Sequence, residues 1–247
     1  MQEEIHLLQN IREYEAIFIQ DDRKVYFFLK RSIDLVITLS ALVVLLPFIV
    51  IISILISVDS DGPVFFIQER VGSKRKKQNG EFFWQPVKFN CLKFRTMKHG
   101  ADETLHKEYT KAFISQDVSK TNEIQGGETN TYKLLNDPRV TRIGKIIRKY
   151  SLDELPQLIN IVLGDMSLVG PRPPIPYEVE EYQPWHYRRF EAKPGLTGLW
   201  QVTSRSSADF DDMVHLDIQY IEQQDLWLDI KIIVKTPRVV LSTQGAY

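Results

Sequence analysis

The fold of this chain is decided by the sequence LVITLSALVVLLPFIVIISILISV, which runs from Leu35 to Val58. The segment contains no charged residue. As a straight helix it would extend about 36 Å at a rise of about 1.5 Å per residue, which is enough to cross a hydrocarbon core of about 30 Å. We therefore expect a membrane segment and not the core helix of a soluble protein.

Pro47 lies in the middle of this apolar segment. A proline lacks the backbone N–H, and its ring clashes with the carbonyl group four residues earlier, which here belongs to Val43. The part before the proline, Leu35–Leu46, would extend only about 18 Å as a helix, which is too short to cross. The sequence thus predicts either a kinked spanning helix, which membranes tolerate, or a re-entrant helix-break-helix that leaves the membrane on the side where it entered.

Basic residues flank the segment on both sides. They are Arg23, Lys24, Lys30, Arg31, Arg70, Lys74, Arg75, Lys76 and Lys77. Because positive charge marks the cytoplasmic side of a membrane, this distribution favours re-entry and a cytoplasmic location for the soluble part. We predict a membrane region at residues 23–60 and a cytoplasmic domain at residues 61–247. The acidic Asp59-Ser60-Asp61 sequence is interpreted as the polar end of the membrane segment and not as a metal-binding DxD motif.

The composition excludes several classes of protein. The 31 basic and 32 acidic side chains nearly cancel, which argues against a nucleic-acid-binding protein. Cys91 is the only cysteine, so an intramolecular disulfide is impossible. Neither zinc-site spacing of cysteine and histidine nor a glycine-rich nucleotide-binding motif is present.

Hydrophobic patterning outside the membrane region predicts a helix-rich α+β fold. We expect an added amphipathic helix over residues 1–22, and a turn at Asn79-Gly80 that joins two strand regions and follows a basic loop at Lys74–Lys77. A mobile polar loop is expected at residues 117–136, within a variable region at 100–136. The predicted strands are 63–68, 81–84, 87–94 and 199–202, and the predicted helices are 101–116, 139–150, 184–190, 209–224 and 226–241.

The most informative polar stretch is SLDELPQ, from Ser151 to Gln157. Ser151 and Glu154 have the spacing of a capping box, and acidic residues suit the first turn of a helix. A helix capped by Ser151 would place Pro156 where its missing N–H should bond. A helix that starts at Asp153 avoids this conflict and puts both carboxylates at the mouth of the helix.

The two carboxylates also suggest chemistry. Mg²⁺ binds one or two protein carboxylates together with substrate phosphates, and a carboxylate can act as a nucleophile that forms an acyl phosphate. Arg172 lies between two prolines in the sequence Gly170–Pro173, where a rigid loop would hold a phosphate-binding guanidinium in a fixed direction. A plain turn after a helix is the alternative interpretation of that loop.

Taken together, five motifs resemble the bacterial sugar transferase family, which are monotopic polyprenyl-phosphate phosphoglycosyl transferases. The resemblance covers about residues 24–243, and the motifs follow the family's order. They are Lys30-Arg31, Leu92–Met97, Ser151–Gln157, Gly164–Pro173 and Lys193–Gly198.

The resemblance implies an enzyme that transfers a sugar-1-phosphate from a UDP-sugar to undecaprenyl phosphate and releases UMP. Asp153 corresponds to the nucleophile that would form a covalent aspartyl-phosphosugar intermediate, and Glu154 to the partner that helps to hold Mg²⁺. The implied substrate-binding residues are Arg148, Arg172, Arg205 and, with weaker support, Lys93. Thr203-Ser204 stands where Asn-Gly is common, which weakens the assignment of Arg205.

The implied location is the cytoplasmic face of the bacterial inner membrane, where envelope or exopolysaccharide synthesis begins. Family architecture supports re-entry at Pro47, although Leu46 replaces the small residue that commonly precedes this proline. A second hypothesis is a catalytically inactive membrane adaptor of a polysaccharide assembly complex. The sequence leaves open the sugar, the pathway, the oligomeric state, the roles of residues 1–22 and 100–136, and the choice between re-entry and spanning.

Overall fold

A computed structural model describes residues 23–78, 80–127, 134, 137–204 and 208–242. The expected amphipathic helix at residues 1–22 and the candidate residue Arg205 lie outside the described residues. The described part is helix-rich with two small sheets, which confirms the α+β prediction. In chain order its elements are α1 (Lys24–Asp59), β1 (Phe65–Gln78), β2 (Glu81–Phe94), α2 (Thr104–Ile114), α3 (Val118–Gln125), α4 (Arg142–Lys149), a 3₁₀ turn (Leu152–Glu154), α5 (Gln157–Leu163), β3 (Ser167–Val169), α6 (Pro176–Val179), a second 3₁₀ segment (Pro184–Glu191), β4 (Gly195–Thr197), α7 (Leu199–Thr203), α8 (Phe210–Gln223) and α9 (Leu226–Leu241).

Helix α1 contains the apolar segment and runs without interruption through Pro47. The predicted division into two helices is therefore wrong as a statement about secondary structure. The proline removes one backbone hydrogen bond, while the long apolar runs on both sides favour helix in an apolar solvent. By length and composition α1 could cross a membrane, with a mean hydropathy of 3.1 over its most apolar window.

One face of α1 packs against the rest of the protein, and the other is exposed and apolar. The packed face is buried at Lys30, Asp34 and Thr38 near the start and at Ile52 and Ile56 near the end. The exposed apolar side chains include Val36, Leu39, Val43, Val44, Leu46, Phe48, Ile51, Ile54, Leu55 and Val58. An exposed apolar surface of this length is compatible with contact with lipid.

Polar contacts hold both ends of α1 to the same globular body. Near its start, the carboxylate of Asp34 accepts a hydrogen bond of 3.1 Å from the backbone N–H of Leu168. At its end, the carboxylate of Asp59 accepts one of 3.1 Å from the backbone N–H of Ile143, in the first turn of α4. Asp59 thus has a structural role, in line with its interpretation as the polar end of the segment.

Strands β1 and β2 form one long antiparallel hairpin. Gln78 pairs with Glu81, which confirms the predicted position of the turn between them. The basic residues Lys74–Lys77 continue strand β1, so the prediction of a basic loop there is wrong. Cation–π contacts explain the difference, because the Arg75 guanidinium lies 3.8 Å and the Lys77 amine 5.8 Å from the centre of the Phe82 ring on the opposite strand.

Two other expectations need correction. The region expected to be a loop at residues 117–136 contains helix α3, which is capped by the Asp117 side chain and ends at Gly126 with φ of 73°. The predicted strand at 199–202 is helix α7. The strand there is β4, which precedes α7 and pairs in parallel with β3. The predicted helices 101–116, 139–150, 184–190, 209–224 and 226–241 are confirmed as α2, α4, the second 3₁₀ segment, α8 and α9.

Candidate active site

A cavity of about 640 Å³ opens between the base of the hairpin, helices α2 and α4, the first 3₁₀ turn and the loop after β3. It is the meeting point of residues that are far apart in sequence. Five of the six catalytic and substrate-binding residues predicted from the sequence line it, and they are Lys93, Arg148, Asp153, Glu154 and Arg172. The sixth, Arg205, lies outside the described residues.

The 3₁₀ turn presents the two carboxylates to the cavity. Ser151 adopts a left-handed conformation with φ of 52°, which redirects the chain after α4. In the turn that follows, Leu152 and Leu155 pack against the hydrophobic cluster that includes Ile52 and Ile56 of α1. Asp153 and Glu154 line the cavity. The acidic pair is therefore built directly on helix α1.

The start of α5 resolves the question of capping. Ser151 makes no side-chain capping hydrogen bond, so the capping-box interpretation is wrong. Pro156 is the N-cap of α5, which begins at Gln157, and the missing N–H of the proline interrupts no helix. Asp153 and Glu154 lie just before the mouth of that helix, in a turn of their own.

Lys93 contacts the acidic pair from strand β2. Its amine lies 3.1 Å from a carboxylate oxygen of Glu154, and the side chains are 16% and 24% exposed. The pairing of Lys93 with Phe66 fixes its place on the strand. The interaction faces a cavity and not the closed core, so a ligand could exchange with either partner.

Arg148 reaches the cavity because α4 packs tightly on the chain that follows β2. The backbone N–H of Thr141 donates to the carbonyl oxygen of Thr96 at 3.0 Å, and a Cβ at Gly144 would overlap that same carbonyl group. A glycine is thus required for this close approach. The contact sets the distance between α4, which carries Arg148, and the base of the hairpin.

Arg172 lies in a loop whose backbone is held at several points. The carbonyl oxygen of Pro173 accepts a hydrogen bond of 2.8 Å from the buried Arg70 guanidinium. The carbonyl of Pro174 accepts one of 2.9 Å from Val71. A Cβ at Gly170 would overlap the backbone of the segment before β4. The expectation of a rigid loop around Arg172 agrees with these contacts.

The sequence analysis did not identify several polar residues that line the cavity, among them Arg70, Arg95, His106 and Tyr177. Arg95 donates to the backbone carbonyl groups of Ser60 and Asp61 and so ties the end of α1 to the cavity. Arg95 lies within the quoted Leu92–Met97 motif, which could have identified it.

His106 and Tyr177 form a pair in the cavity wall, where a ring nitrogen of His106 lies 2.7 Å from the Tyr177 hydroxyl. Burial lowers the pKa of His106 to about 4; Arg70, Arg139 and Arg148 act in the same direction, and Glu178 opposes them. The imidazole is therefore neutral at pH 7. No sequence pattern links the two residues, which are 71 positions apart.

The arrangement suits an anionic ligand that approaches two carboxylates. Arg70, Lys93, Arg148 and Arg172 supply positive charge around Asp153 and Glu154. Among the described residues there is no group of three or more histidine, cysteine or acidic side chains that could hold a metal ion. Two adjacent carboxylates alone fit a cation such as Mg²⁺, which takes its remaining ligands from water and phosphate.

Comparison with known proteins gives a consistent result. Residues 25–243 match the family model described as bacterial sugar transferase. A UDP-galactose-lipid carrier transferase of Erwinia amylovora is 44% identical over 89% of this chain and 42% of its own length. An undecaprenyl-phosphate galactose phosphotransferase of Salmonella typhimurium is 40% identical over 89% of this chain and 42% of its own length. The chain thus spans about two fifths of each of these relatives.

A shorter relative matches along most of its length. The exopolysaccharide production protein ExoY of Rhizobium meliloti is 38% identical over 88% of both chains. The residues that match the family model include nearly all of α1, the hairpin and the residues that line the cavity.

Proposed function

Because the chain belongs to the bacterial sugar transferase family, we propose that it transfers a sugar-1-phosphate from a UDP-sugar to undecaprenyl phosphate and releases UMP. The observation that carries this proposal is the cavity itself. It combines two adjacent carboxylates, Asp153 and Glu154, with several basic side chains in one space of about 640 Å³. A diphosphate donor needs such positive charge, and a covalent route needs a nucleophile.

Asp153 is the proposed nucleophile. One of its carboxylate oxygens attacks the phosphorus that carries the sugar, and the bond from that phosphorus to the bridging oxygen breaks. UMP leaves with the bonding electrons, and the sugar-phosphate stays bonded to Asp153. An oxygen of undecaprenyl phosphate then attacks the same phosphorus, the bond to Asp153 breaks, and the carboxylate is regenerated. Two successive displacements of this kind give ping-pong kinetics.

The basic side chains would reduce the electrostatic repulsion between the nucleophile and the donor. A carboxylate and a diphosphate repel each other, so attack requires positive charge close to both. Lys93 lies 3.1 Å from Glu154, while Arg148 and Arg172 line the cavity from two other elements. Fixed cations around a transferring phosphoryl group stabilise its transition state and need no reorganisation during the reaction.

Mg²⁺ is the proposed cofactor, and Asp153 and Glu154 are the residues that would hold it. When bound, the ion would neutralise charge on the diphosphate. The protein's own part is to hold the two carboxylates together in the 3₁₀ turn, since Leu152 and Leu155 anchor that turn on α1. Removal of Mg²⁺ with a chelator is expected to abolish activity without unfolding the protein.

The proposed location is the cytoplasmic face of the inner membrane, with α1 entering and leaving on one side through a bend at Pro47 that keeps the helix continuous. The support is that both ends of α1 contact one body, at Asp34 near the start and at Asp59 at the end. A helix that spanned the membrane would separate these contacts by the bilayer. Cysteines introduced one at a time at Val25 and Asp61, in a variant whose native Cys91 is replaced by serine, test this, because a membrane-impermeant thiol reagent added outside the inner membrane should label neither. Labelling of one position only would contradict re-entry.

The experiment that tests the transfer uses the full chain in detergent with undecaprenyl phosphate, Mg²⁺ and a panel of UDP-sugars. UMP release is measured for each sugar separately. UDP-galactose is the first arm, because galactose appears in the names of two relatives, and glucose and N-acetylated amino sugars follow. UMP from at least one donor is expected. Its absence with every donor would favour the inactive adaptor.

A further inference from the structure

The cavity proposed as the transfer site has two chemically different parts. One part carries the acidic pair and the cations around it. The other part includes a neutral polar pair, His106 of α2 and Tyr177 of α6, together with the buried apolar side chains of Leu134 and Ile175. The reaction steps proposed above use neither residue of this polar pair. A UDP-sugar is divided in the same way, since its charge lies on the diphosphate while its sugar and uracil are neutral.

The polar pair is held in place by the elements that carry it. The Nδ1 atom of His106 lies 2.7 Å from the Tyr177 hydroxyl, and the two rings meet edge to face with centres 6.2 Å apart. Helix α2 is anchored by Tyr109 and Phe113, which are 1% and 4% exposed. Helix α6 follows a segment bound to β1, where the carbonyl oxygen of Pro174 accepts a hydrogen bond of 2.9 Å from that strand. A polar group fixed in this way can distinguish ligands that differ by one hydrogen bond.

The second ring nitrogen of His106 is available to a ligand. Nδ1 contacts the Tyr177 hydroxyl, and Oγ1 of Thr110 lies 3.4 Å from the same nitrogen. Nε2 has no hydrogen-bond partner among the residues that the structure describes. Because the imidazole is neutral, Nε2 donates when the Tyr177 hydroxyl donates to Nδ1, and accepts when Nδ1 carries the proton. A hydroxyl group is a suitable partner in both cases, whereas a carbonyl oxygen or an N–H of uracil suits only one of them.

The polar pair borders the phosphate-binding part of the cavity. Burial has the largest effect on the pKa of His106, and Arg70 and Arg148 are close enough to lower that pKa further. Both arginines line the same cavity. In a UDP-sugar, the sugar is bonded directly to the phosphate that Asp153 would attack, whereas the uracil is separated from it by the ribose and a second phosphate. The sugar is therefore the neutral part of the donor that we expect beside His106.

We propose that His106 is a specificity-determining residue, whose Nε2 atom forms a hydrogen bond with one hydroxyl group of the donor sugar while Tyr177 fixes the imidazole. This contact rests on the proposed function and extends it from the phosphates to the sugar. A donor that lacks the hydroxyl, or holds it in the other configuration, leaves Nε2 without its partner and binds more weakly. The substrate class is thus a UDP-hexose with an unsubstituted hydroxyl at this position.

Binding is measured by titration calorimetry with the full chain in detergent, with Mg²⁺ and without undecaprenyl phosphate. All proteins carry Asp153→Asn, so that the donor is bound but not consumed. UDP-galactose, UDP-glucose and the two corresponding N-acetylated amino sugars are titrated separately, and UDP is the ligand without a sugar. For each ligand, the dissociation constant of a His106 variant is compared with that of the protein that carries Asp153→Asn alone.

Two substitutions distinguish the two ring nitrogens of His106. Asparagine places its amide near the position of Nδ1 and can keep the contact to Tyr177, whereas glutamine reaches the position of Nε2. We expect His106→Asn to weaken binding of the tightest UDP-sugar by about tenfold and that of UDP by less than about twofold. His106→Gln should recover most of the lost affinity. His215→Asn is the matched control, because His215 is exposed, stacks on Trp185 and does not line the cavity.

Monodeoxy analogues of the tightest UDP-sugar identify the hydroxyl group. The analogue that lacks the contacted hydroxyl should bind equally well with and without His106→Asn. Every other analogue should still lose about tenfold in affinity when His106→Asn is introduced. The same loss for every analogue would show that His106 contacts no sugar hydroxyl and would overturn the proposal.

Two further outcomes would overturn it. Equal weakening of UDP-sugars and UDP would assign His106 to the nucleotide, and unchanged affinity in His106→Asn would exclude any contact with the donor. If His106→Asn does not fold, judged by its unfolding temperature without ligand, Tyr177→Phe takes its place, and the same selective loss for UDP-sugars is expected because the imidazole loses its fixed orientation. These titrations involve no transfer, so their result is separate from the presence or absence of UMP release, which tests the proposed function.

Discussion

Two acid–base pairs in this protein use the same chemical groups in different surroundings. In the core, Arg189 and Asp217 lie 2.7 Å apart with side chains 6% and 1% exposed, and Arg189 also donates to the Tyr182 hydroxyl at 2.6 Å. At the cavity, Lys93 and Glu154 lie 3.1 Å apart and are 16% and 24% exposed. The enclosed pair is closed to ligands and stabilises the fold, including the Arg172 backbone carbonyl, to which Arg189 donates at 3.3 Å, whereas the cavity pair can meet a ligand.

The difference between the two pairs predicts which carboxylates of this chain affect stability and which affect activity. Burial raises the pKa of Asp217 to about 6, although Arg189 opposes the shift, so the core carboxylate is costly to enclose and depends on its partner. Asp153 and Glu154 line an open cavity on a short turn whose leucines make the packing contacts. Changes to the cavity acids should therefore affect turnover, and changes to the core acid should affect stability.

The largest expected effect is that of Asp153→Asn on turnover. The amide is the same size but is a poor nucleophile, so UMP release should fall by about 10³-fold or more. The free energy of unfolding should change by less than about 0.5 kcal/mol, because Leu152 and Leu155 keep the turn anchored. Initial rates and thermal unfolding measure the two quantities. Asp212→Asn, at an exposed position in the first turn of α8, is the control and should retain full activity.

That prediction can fail in a clear way. If Asp153→Asn releases UMP at a rate close to that of the unchanged protein, Asp153 is not the nucleophile. If the variant instead loses several kcal/mol in its free energy of unfolding, the acidic pair has a structural role like that of the core pair. The proposed difference between cavity and core carboxylates would then be wrong.

The next effect is on the core pair. Asp217→Asn leaves the Arg189 charge buried without its partner, which should reduce the free energy of unfolding by about 3–5 kcal/mol. Glu222→Gln is the matched control on the same helix, because Glu222 pairs with Arg188 at 2.9 Å but is 55% exposed. An exposed pair contributes no more than about 1 kcal/mol. Equal losses in the two variants, measured by denaturant unfolding, would show that enclosure is not what distinguishes the pairs.

A smaller effect concerns pH and the neutral His106–Tyr177 pair in the cavity wall. The pKa of His106 is lowered to about 4, mainly by burial, from about 6.5 in an unfolded chain. At a pH between these two pKa values, His106 is protonated in the unfolded chain but neutral in the folded protein. The contribution of His106 to the free energy of unfolding is therefore fully present above about pH 6.5. It decreases as the pH falls toward 4, by on the order of 2 kcal/mol.

His106→Gln should remove this part of the pH dependence, as measured by unfolding temperatures between pH 7.5 and 4.5. His99→Gln is the control, since His99 is exposed. The groups that act on His106 are Glu178, Arg70, Arg139 and Arg148, and all remain in the variant. The same pH slope in His106→Gln and in the unchanged protein would contradict a half-buried imidazole that stays neutral in the folded state.

The acidic pair, the long apolar helix and most of the other helices could be predicted from the sequence because they depend on local patterns. The position of Pro156 correctly indicated that no helix runs through Asp153 and Glu154. The Asn79-Gly80 sequence correctly predicted the position of the turn between strands β1 and β2. The run of basic residues Lys74–Lys77 was predicted to be a loop because the sequence shows their charge but not their partners on the opposite strand. Their pairing with the opposite strand and the contacts to Phe82 depend on the fold.

Contacts across long distances in the chain were beyond sequence reasoning. The His106–Tyr177 pair and the Arg95 contacts to the end of α1 form only when distant segments meet. The uninterrupted course of α1 through Pro47 also depends on its surroundings, since an isolated helix in water loses more from a proline than one within an apolar environment.

The smallest expected effect is that of Lys93→Met, which separates the pairing of Glu154 from its role in the reaction. Loss of one fixed cation beside the proposed phosphate position should lower turnover by about tenfold. The free energy of unfolding should fall by no more than about 1 kcal/mol, because the pair borders the cavity and is not enclosed in the core. Lys88→Met is the matched control: Lys88 lies on the same strand and pairs with Glu69 at 3.1 Å, yet it does not line the cavity. If both lysine variants lose activity equally, the effect belongs to the hairpin and not to the cavity. If the double variant Lys93→Met with Glu154→Gln loses the product of the two single effects, the two residues act independently, whereas a smaller loss would show that they work as one unit.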